Sequence, residues 1–178
     1  MTVAASSISK HFDLNTGASG SGTSPTAPGY TGVPLIAYSP TLGYGWQSTT
    51  SMDSRDRTDV SSKVGPLRED FHKSTGASGT YDSHFLVDLP NGAYNVTVYI
   101  GDGDEALTNQ YVDAQGVNVV GPVNTTSCAT GVSTCSQSFT FPVSVTSGQL
   151  NLRFHTTNST SVYYGYIAVE GIDIVATQ

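Results

Sequence analysis

The chain is 178 residues long and carries 7 basic against 14 acidic side chains, a formal net charge of −7. Only 12% of it is charged, about half the usual share of a soluble domain, while Ser and Thr supply roughly a quarter, with 19 Gly and 10 Tyr. These figures exclude a nucleic-acid binder, which needs concentrated positive charge. They also exclude an all-α fold, because helix-forming Lys, Glu and Ala are scarce, and a membrane helix, because no apolar run approaches roughly 20 residues.

The length fits one domain, residues 1–178, at about 150 residues per domain, and such a chain can bury roughly 70% of its unfolded surface. Residues 1–7 are expected to lie outside the fold, which begins near Ile8. Met1 to Lys10 shows no basic start followed by an apolar stretch, so no secretory leader is read there. Together with the Ser/Thr/Gly/Tyr-rich composition, this is read as a piece of a longer, extracellular protein.

Ile8–Leu14 is the first expected strand, and Thr16–Thr26 reads as a loop. Leu35–Tyr38 is a candidate for another strand, but Pro25, Pro28, Pro34 and Pro40 keep the surrounding stretch out of a sheet. Asp53–Phe71 mixes charges with Gly65-Pro66 and has room for one helical turn.

From there the pattern has period two. Phe85, Val87 and Leu89 share one face, and Pro90-Asn91-Gly92 predicts a hairpin turn. Tyr94, Val96, Val98 and Ile100 point inward, with Asn95, Thr97 and Tyr99 outward. Gln110–Ala114 and Val117–Val120 follow, then Ser138–Val145 with Phe139, Phe141, Val143 and Val145 alternating. Ser147-Gly148 turns the chain into Gln149–His155, which buries Leu150, Leu152 and Phe154. Tyr163–Val175 closes the domain, with Gly165 and Gly171 as bulge candidates. Strands at this spacing predict an all-β fold: a two-sheet antiparallel β-sandwich of the jelly-roll type.

Cys128 and Cys135 bracket a short loop with Gly131 at its middle. A disulfide is expected across its neck, the alternative being two free thiols. Sequons at Asn95, Asn124 and Asn158 arise by chance in so Asn/Ser/Thr-rich a chain.

No nucleophile elbow, zinc-protease helix motif or phosphate loop is present. The four His (His11, His72, His84, His155) are isolated in sequence, although strand pairing could unite two. Glu69, Glu105 and Glu170 sit in no recognisable glycosidase setting, so a hydrolase is the least favoured reading.

The most distinctive segment is Gly43-Tyr44-Gly45-Trp46, followed by Arg55-Asp56-Arg57. An aromatic ring can stack on a sugar's C–H face while neighbouring polar groups grip its hydroxyls. Tyr44 and Trp46, completed by Tyr163 and Tyr164, are therefore candidate stacking residues, with Arg55, Asp102, Asp104 and Asn109 as hydroxyl partners. The alternative is a core plug at Trp46 and an ion-pair network that pins a loop.

Gly101-Asp102-Gly103-Asp104-Glu105 concentrates carboxylates that repel unless water, a donor or a cation intervenes, and hard Ca²⁺ is the natural counterion. EF-hand spacing is absent. Asp13 on the first strand and Asp173 on the last form a second pair that could share a cation.

Phe12-Asp13-Leu14, Pro28-Gly29-Tyr30, the Gly43–Trp46 and Arg55–Arg57 segments, Leu67–Phe71, Phe85–Tyr94 and Gly101-Asp102 together resemble the galactose-binding-like β-sandwich modules beside bacterial polysaccharide enzymes. The likeness is greatest to the module beside rhamnogalacturonan acetylesterase-type catalytic domains, and more distant to malectin-like modules. It implies a non-catalytic, secreted, carbohydrate-binding module that binds plant-type polysaccharide and works beside a parent enzyme's catalytic domain. Such modules often carry structural Ca²⁺. A structural or interaction domain of an extracellular protein, with no sugar site, is the competing expectation.

Overall fold

A computed structural model describes residues 8–15, 24–57, 64–75, 81–128, 132–157 and 166–177. The elements in chain order are β1 (Ser9–Asp13), β2 (Thr31–Gly32), β3 (Tyr44–Trp46), β4 (Met52–Asp56), α1 (Pro66–Glu69), β5 (Asp70–Ser74), β6 (Asp82–Asp88) and β7 (Gly92–Gly101). There follow β8 (Gln110–Ala114), β9 (Val117–Val123), α2 (Val132–Cys135), β10 (Ser136–Val145), β11 (Gln149–Thr156) and β12 (Ala168–Ala176). They make two sheets. One has seven strands, built on the order β10-β7-β12-β1-β2 with β5 joined to β12 and β4 to β5; the other has five, β3-β6-β11-β8-β9.

Period-two alternation explains why the sheets stack. Phe85, Val87, Leu150, Leu152 and Phe154 line the inner face of the five-stranded sheet, and Tyr94, Val96, Val98, Ile100, Ile172 and Ile174 line the other. Burying one such side chain contributes roughly 1.5–3 kcal/mol, so a one-residue slip in any long strand would turn its apolar set to water.

The segment Pro90-Asn91-Gly92 is not a hairpin. It carries the chain from β6 in one sheet to β7 in the other, and Ser147-Gly148 does the same between β10 and β11. The two arches brace each other: Leu89 N donates to Gly148 O at 3.0 Å, and Gly148 N to Asn91 Oδ1 at 2.8 Å. The tight hairpin is β8–β9, where Gln115 (φ 52°) and Gly116 (φ 78°) both take the left-handed conformation such a turn requires.

Other expectations meet mixed outcomes. Gly171 sits at a bulge in β12, and the helical turn in Asp53–Phe71 is α1, but β4 and β5 in the same stretch carry no alternation a reader could use. Leu35–Tyr38 contributes only an isolated bridge, Ala37 to Trp46. The Cys128–Cys135 disulfide is formed, with the two Cα atoms 5.0 Å apart. Residues 1–7, Gly131, Asn158 and Gly165 lie outside the described residues.

β12 is flanked on one side by β7 and on the other by two strands in tandem. β1 pairs with its Gly171–Val175 half, and β5 with Ala168 and Val169. The end of β1 therefore abuts the start of β5 opposite Glu170, whose carbonyl accepts from Leu14 N at 2.9 Å.

Gly45 adopts φ 139°, and a Cβ there would lie 2.7 Å from Tyr38 backbone atoms. Gly45→Ala is expected to cost about 2–4 kcal/mol from backbone strain plus overpacking, read as a lower urea midpoint at unchanged slope.

Candidate functional site

Trp46 is 1% exposed, so it offers no ring face to a ligand. Its indole packs edge-on against Phe85 and Phe154, and Nε1 donates to His72 Nδ1 at 2.8 Å. Since Nδ1 accepts, Nε2 carries the proton and donates to Asn15 O at 2.9 Å. Burial pushes the His72 pKa down to about 4, which keeps the ring neutral. The expected stacking role of Trp46 is thereby corrected: a glycine-flanked aromatic looked like a loop residue, but it pairs on β6 and plugs the core. Tyr44 is half-buried, its ring centroid 4.9 Å from that of Phe12. Tyr163 and Tyr164 lie outside the described residues.

The expected hydroxyl partners also separate. Arg57 grips Asp102 in a two-pronged pair, Nε to Oδ1 and Nη2 to Oδ2, both at 2.8 Å, and reaches Asp104 at 2.9 Å. Tyr166 O–H also donates to Asp102, whose side chain is fully buried. Burial works against the Arg57 charge, but the Asp102 bonds outweigh it and raise its pKa. Asp102 is thus an internal anchor with no free face for sugar hydroxyls. Exposed Arg55 pairs with half-buried Asp53 at 3.3 Å, and Asn109 sits at an exposed turn with φ 55°, its N–H bonded to Asn124 Oδ1 at 2.9 Å.

Asp13 and Asp173 belong to different hydrogen-bond networks. Asp173 accepts from Tyr99 (2.8 Å) and Tyr30 (3.1 Å) and lies 2.7 Å from His11 Nδ1. Asp13 instead interacts with Asp70 across the β1–β5 seam. Burial is the largest cause raising both pKa values, and the nearby Glu69 charge adds to it. Asp13 Oδ2 accepts from Ala27 N at 2.6 Å, and Asp70 Oδ2 from Asn15 Nδ2 at 3.1 Å and from Ser24. The other oxygen of each, Asp13 Oδ1 and Asp70 Oδ1, is buried with no hydrogen-bond partner among the described residues. Among those residues, no three His, Cys, Asp or Glu side chains are placed to form a metal cage.

A different surface gathers functional groups that sequence order keeps apart. On the outer face of the five-stranded sheet, strand register stacks four rows, polar but for Leu86: Asp88–Gln149, then Leu86–Asn151, then His84–Arg153–Asp113–Asn118, then Asp82–His155–Tyr111. Successive rows are two residues apart, so the strip runs roughly 20 Å. Arg153 is its hub, bonding Asp82 through Nε and Nη2 (2.9 and 2.8 Å) and Asp113 through Nη1 (3.0 Å). The Arg153 bond holds Asp82 below its ordinary pKa. Burial alone would raise Asp113, but Asn118, His155 and Arg153 together bring it below its ordinary value. His84 Nδ1 lies 2.8 Å from Asn151 Oδ1, and His155 stacks on Tyr111 at 5.4 Å. His155 Nε2 is 3.2 Å from Asp113 Oδ2 but lacks hydrogen-bond alignment. Outward alternation of Asp82, His84, Arg153 and His155 was readable in the sequence; their cross-strand pairing was not.

The two-sheet β-sandwich is the fold expected of a galactose-binding-like domain. The family model described as beta-agarase/YXIM esterase-like, galactose-binding domain-like matches residues 19–172, and the chain belongs to that family. It is 33% identical over 144 residues to beta-agarase A of Zobellia galactanivorans, covering 81% of this chain and 24% of that protein. Over 132 residues it is 33% identical to the uncharacterized esterase YxiM of Bacillus subtilis, covering 74% of this chain and 30% of that protein. The chain thus spans less than a third of these curated relatives. The crystal structure of B. subtilis YxiM superposes with TM-score 0.66 at 24% identity, over 96% of this chain and 40% of that one. The plant receptor-like kinase FER shares the fold at TM-score 0.64 and 12% identity, over 96% of this chain and 42% of that one.

Glu170 yields a pH test. It is fully buried, Oε2 accepts from Ser136, and burial raises its pKa well above the ordinary value. The folded state therefore binds more protons than the unfolded one above about pH 4.5, and this contribution to stability is lost as pH rises through the folded pKa. Glu170→Gln, neutral throughout, is expected to lose less stability between pH 5 and pH 8 than the parent. The difference should be up to about 1.4 kcal/mol per pH unit, measured by urea melts across that range.

Proposed function

We propose that this chain is a non-catalytic carbohydrate-binding module of a larger, secreted polysaccharide-active protein. It holds a polysaccharide on the outer face of its five-stranded sheet. The observation that carries the reading is the four-row strip centred on Arg153. Its amides, the His84 imidazole and the Arg153 guanidinium are planar donors and acceptors already fixed by mutual bonds, so little side-chain freedom is lost when hydroxyls bind. Its length would accommodate several sugar rings.

The partnership with a catalytic domain is supported by two relatives that extend far beyond the matched segment, one a beta-agarase and one an esterase. The agarase makes a galactan the first polymer to test. The non-catalytic reading is supported by the burial of Asp13, Glu69, Asp70 and Glu170, all at 2% exposure or less: an acid–base pair must meet its substrate. The disulfide supports an extracellular setting. The competing role, a structural spacer, is favoured by the burial of Trp46 and the internal pairing of Arg57.

Binding separates the two. In affinity electrophoresis against agarose, pectic galactan, xylan and β-glucan, at least one polymer is expected to retard the native chain. Arg153→Ala, checked for unchanged melting, should weaken that retardation at least tenfold, a loss of about 1.4 kcal/mol. Retardation by none of the polymers would leave the spacer role.

A calcium ion is part of the same proposal, placed at the β1–β5 seam and not between Asp13 and Asp173. The orphaned oxygens Asp13 Oδ1 and Asp70 Oδ1 are hard ligands of the kind Ca²⁺ takes, and Asn15 is bonded to the same carboxylate. A bound cation would supply the positive charge that two buried carboxylates lack. EDTA is expected to lower the melting temperature by roughly 5–10 °C and Ca²⁺ to restore it, as a hundredfold excess over Kd contributes about 2.7 kcal/mol. A melting curve indifferent to both would remove the ion.

A further inference from the structure

The sandwich is open along one side, where the edge strand β9 of one sheet faces the edge strand β10 of the other. A cavity of about 550 Å³ lies there, lined by residues 119–124 and 137–140. A second, of about 300 Å³, adjoins it and shares Val119. Together they form a cleft along the strand direction, and the larger alone falls within the roughly 300–1,000 Å³ of small-molecule sites.

Its chemistry is unusual for this chain. Neither cavity has a charged residue in its lining, although the chain bears a net charge of −7. Phe139 shares the inward side of β10 with Phe141 yet is only half-buried, because β9 and β10 do not close over it. Val117 at the far end is 64% exposed. Beside these apolar surfaces stand two carboxamides. Gln137 Nε2 donates to Asn124 O at 2.8 Å, and Asn124 Oδ1 accepts from Asn109 N at 2.9 Å. Gln137 Oε1 and Asn124 Nδ2 are thereby oriented, one as acceptor and one as donor.

These features select among occupants. An added peptide strand is disfavoured because each edge strand carries a proline, Pro122 and Pro142, that removes a ladder donor. An anionic ligand would find no cation to pair with, and an acyl chain would strip water from the two carboxamides without replacing their hydrogen bonds. A ligand with apolar C–H faces and uncharged hydroxyls matches both surfaces.

We propose that the β9–β10 cleft is a second glycan site, selective for neutral sugar chains and separate from the Arg153 face. It rests on the carbohydrate-binding reading above. The test is amide chemical-shift titration of the intact chain with neutral hexasaccharides (neoagarohexaose, β-1,4-galactohexaose and xylohexaose), alongside a sulfated galactan hexasaccharide. At least one neutral probe is expected to shift amides of 119–124 and 137–140, and to do so equally in Arg153→Ala. The sulfated probe should leave them unmoved. Ser138→Trp, from an exposed position on the cleft wall, should weaken these shifts at least tenfold while sparing those of the sheet face. Shifts confined to the sheet face, or unaltered in Ser138→Trp, would overturn the cleft and leave the module reading intact. Equal binding of the sulfated probe would overturn its neutrality. No shift anywhere with any neutral probe would overturn both.

Discussion

One buried hydrogen-bonded link ties the two sheets together, and much of the molecule is arranged around it. Trp46 belongs to the five-stranded sheet and His72 to the seven-stranded one; the bond between their rings crosses the core. Because His72 must accept at Nδ1, it must donate at Nε2, and the carbonyl it finds is that of Asn15, just beyond β1. Asn15 in turn donates to Asp70, the first residue of β5. A single choice of tautomer thus sets the relation of β3, β1 and β5. Protonation of His72 would remove its acceptor and bury a charge.

The seam where β1 and β5 meet along β12 follows from this arrangement and explains where the carboxylates went. The carboxylates at the meeting strand ends are held by donors from outside the ladders: Asp13 accepts from the backbone of Ala27, and Asp70 from the side chains of Asn15 and Ser24. A similar economy holds at Asp102, which serves Arg57, Tyr166 and the backbone of Asp104. With so few charges in the chain, those used inside leave the lining of the β9–β10 cleft neutral, while Arg153 gathers others onto the outer face of the five-stranded sheet.

The strands of the second half were legible because each buries every other side chain, and period two survives in the residue types themselves. The jelly-roll class followed from their number and spacing. Partner choice did not follow. Asn91-Gly92 has the dipeptide of a hairpin, yet it forms an arch, since turn chemistry reports a reversal without saying which sheet receives the returning strand. Trp46 misled for a related reason. Flanking glycines suggested an exposed loop, whereas Gly45 is glycine because the Tyr38 backbone passes against it. His72 gave no signal, since nothing in Asp70-Phe71-His72-Lys73 distinguishes a buried imidazole from a solvated one.

By itself, then, the amino-acid order determined an all-β domain, the inward faces of its long strands and its poverty of charge. These are local properties, set by neighbours one or two residues apart. Tertiary structure alone decided which charges meet, because Arg153 finds Asp82 and Asp113 across three strands, 71 and 40 residues away along the chain. It also decided that the distinctive aromatic is a core residue, and that the open side of the sandwich is uncharged. Register and sheet assignment depend on the simultaneous burial of every strand, and no short segment carries that sum.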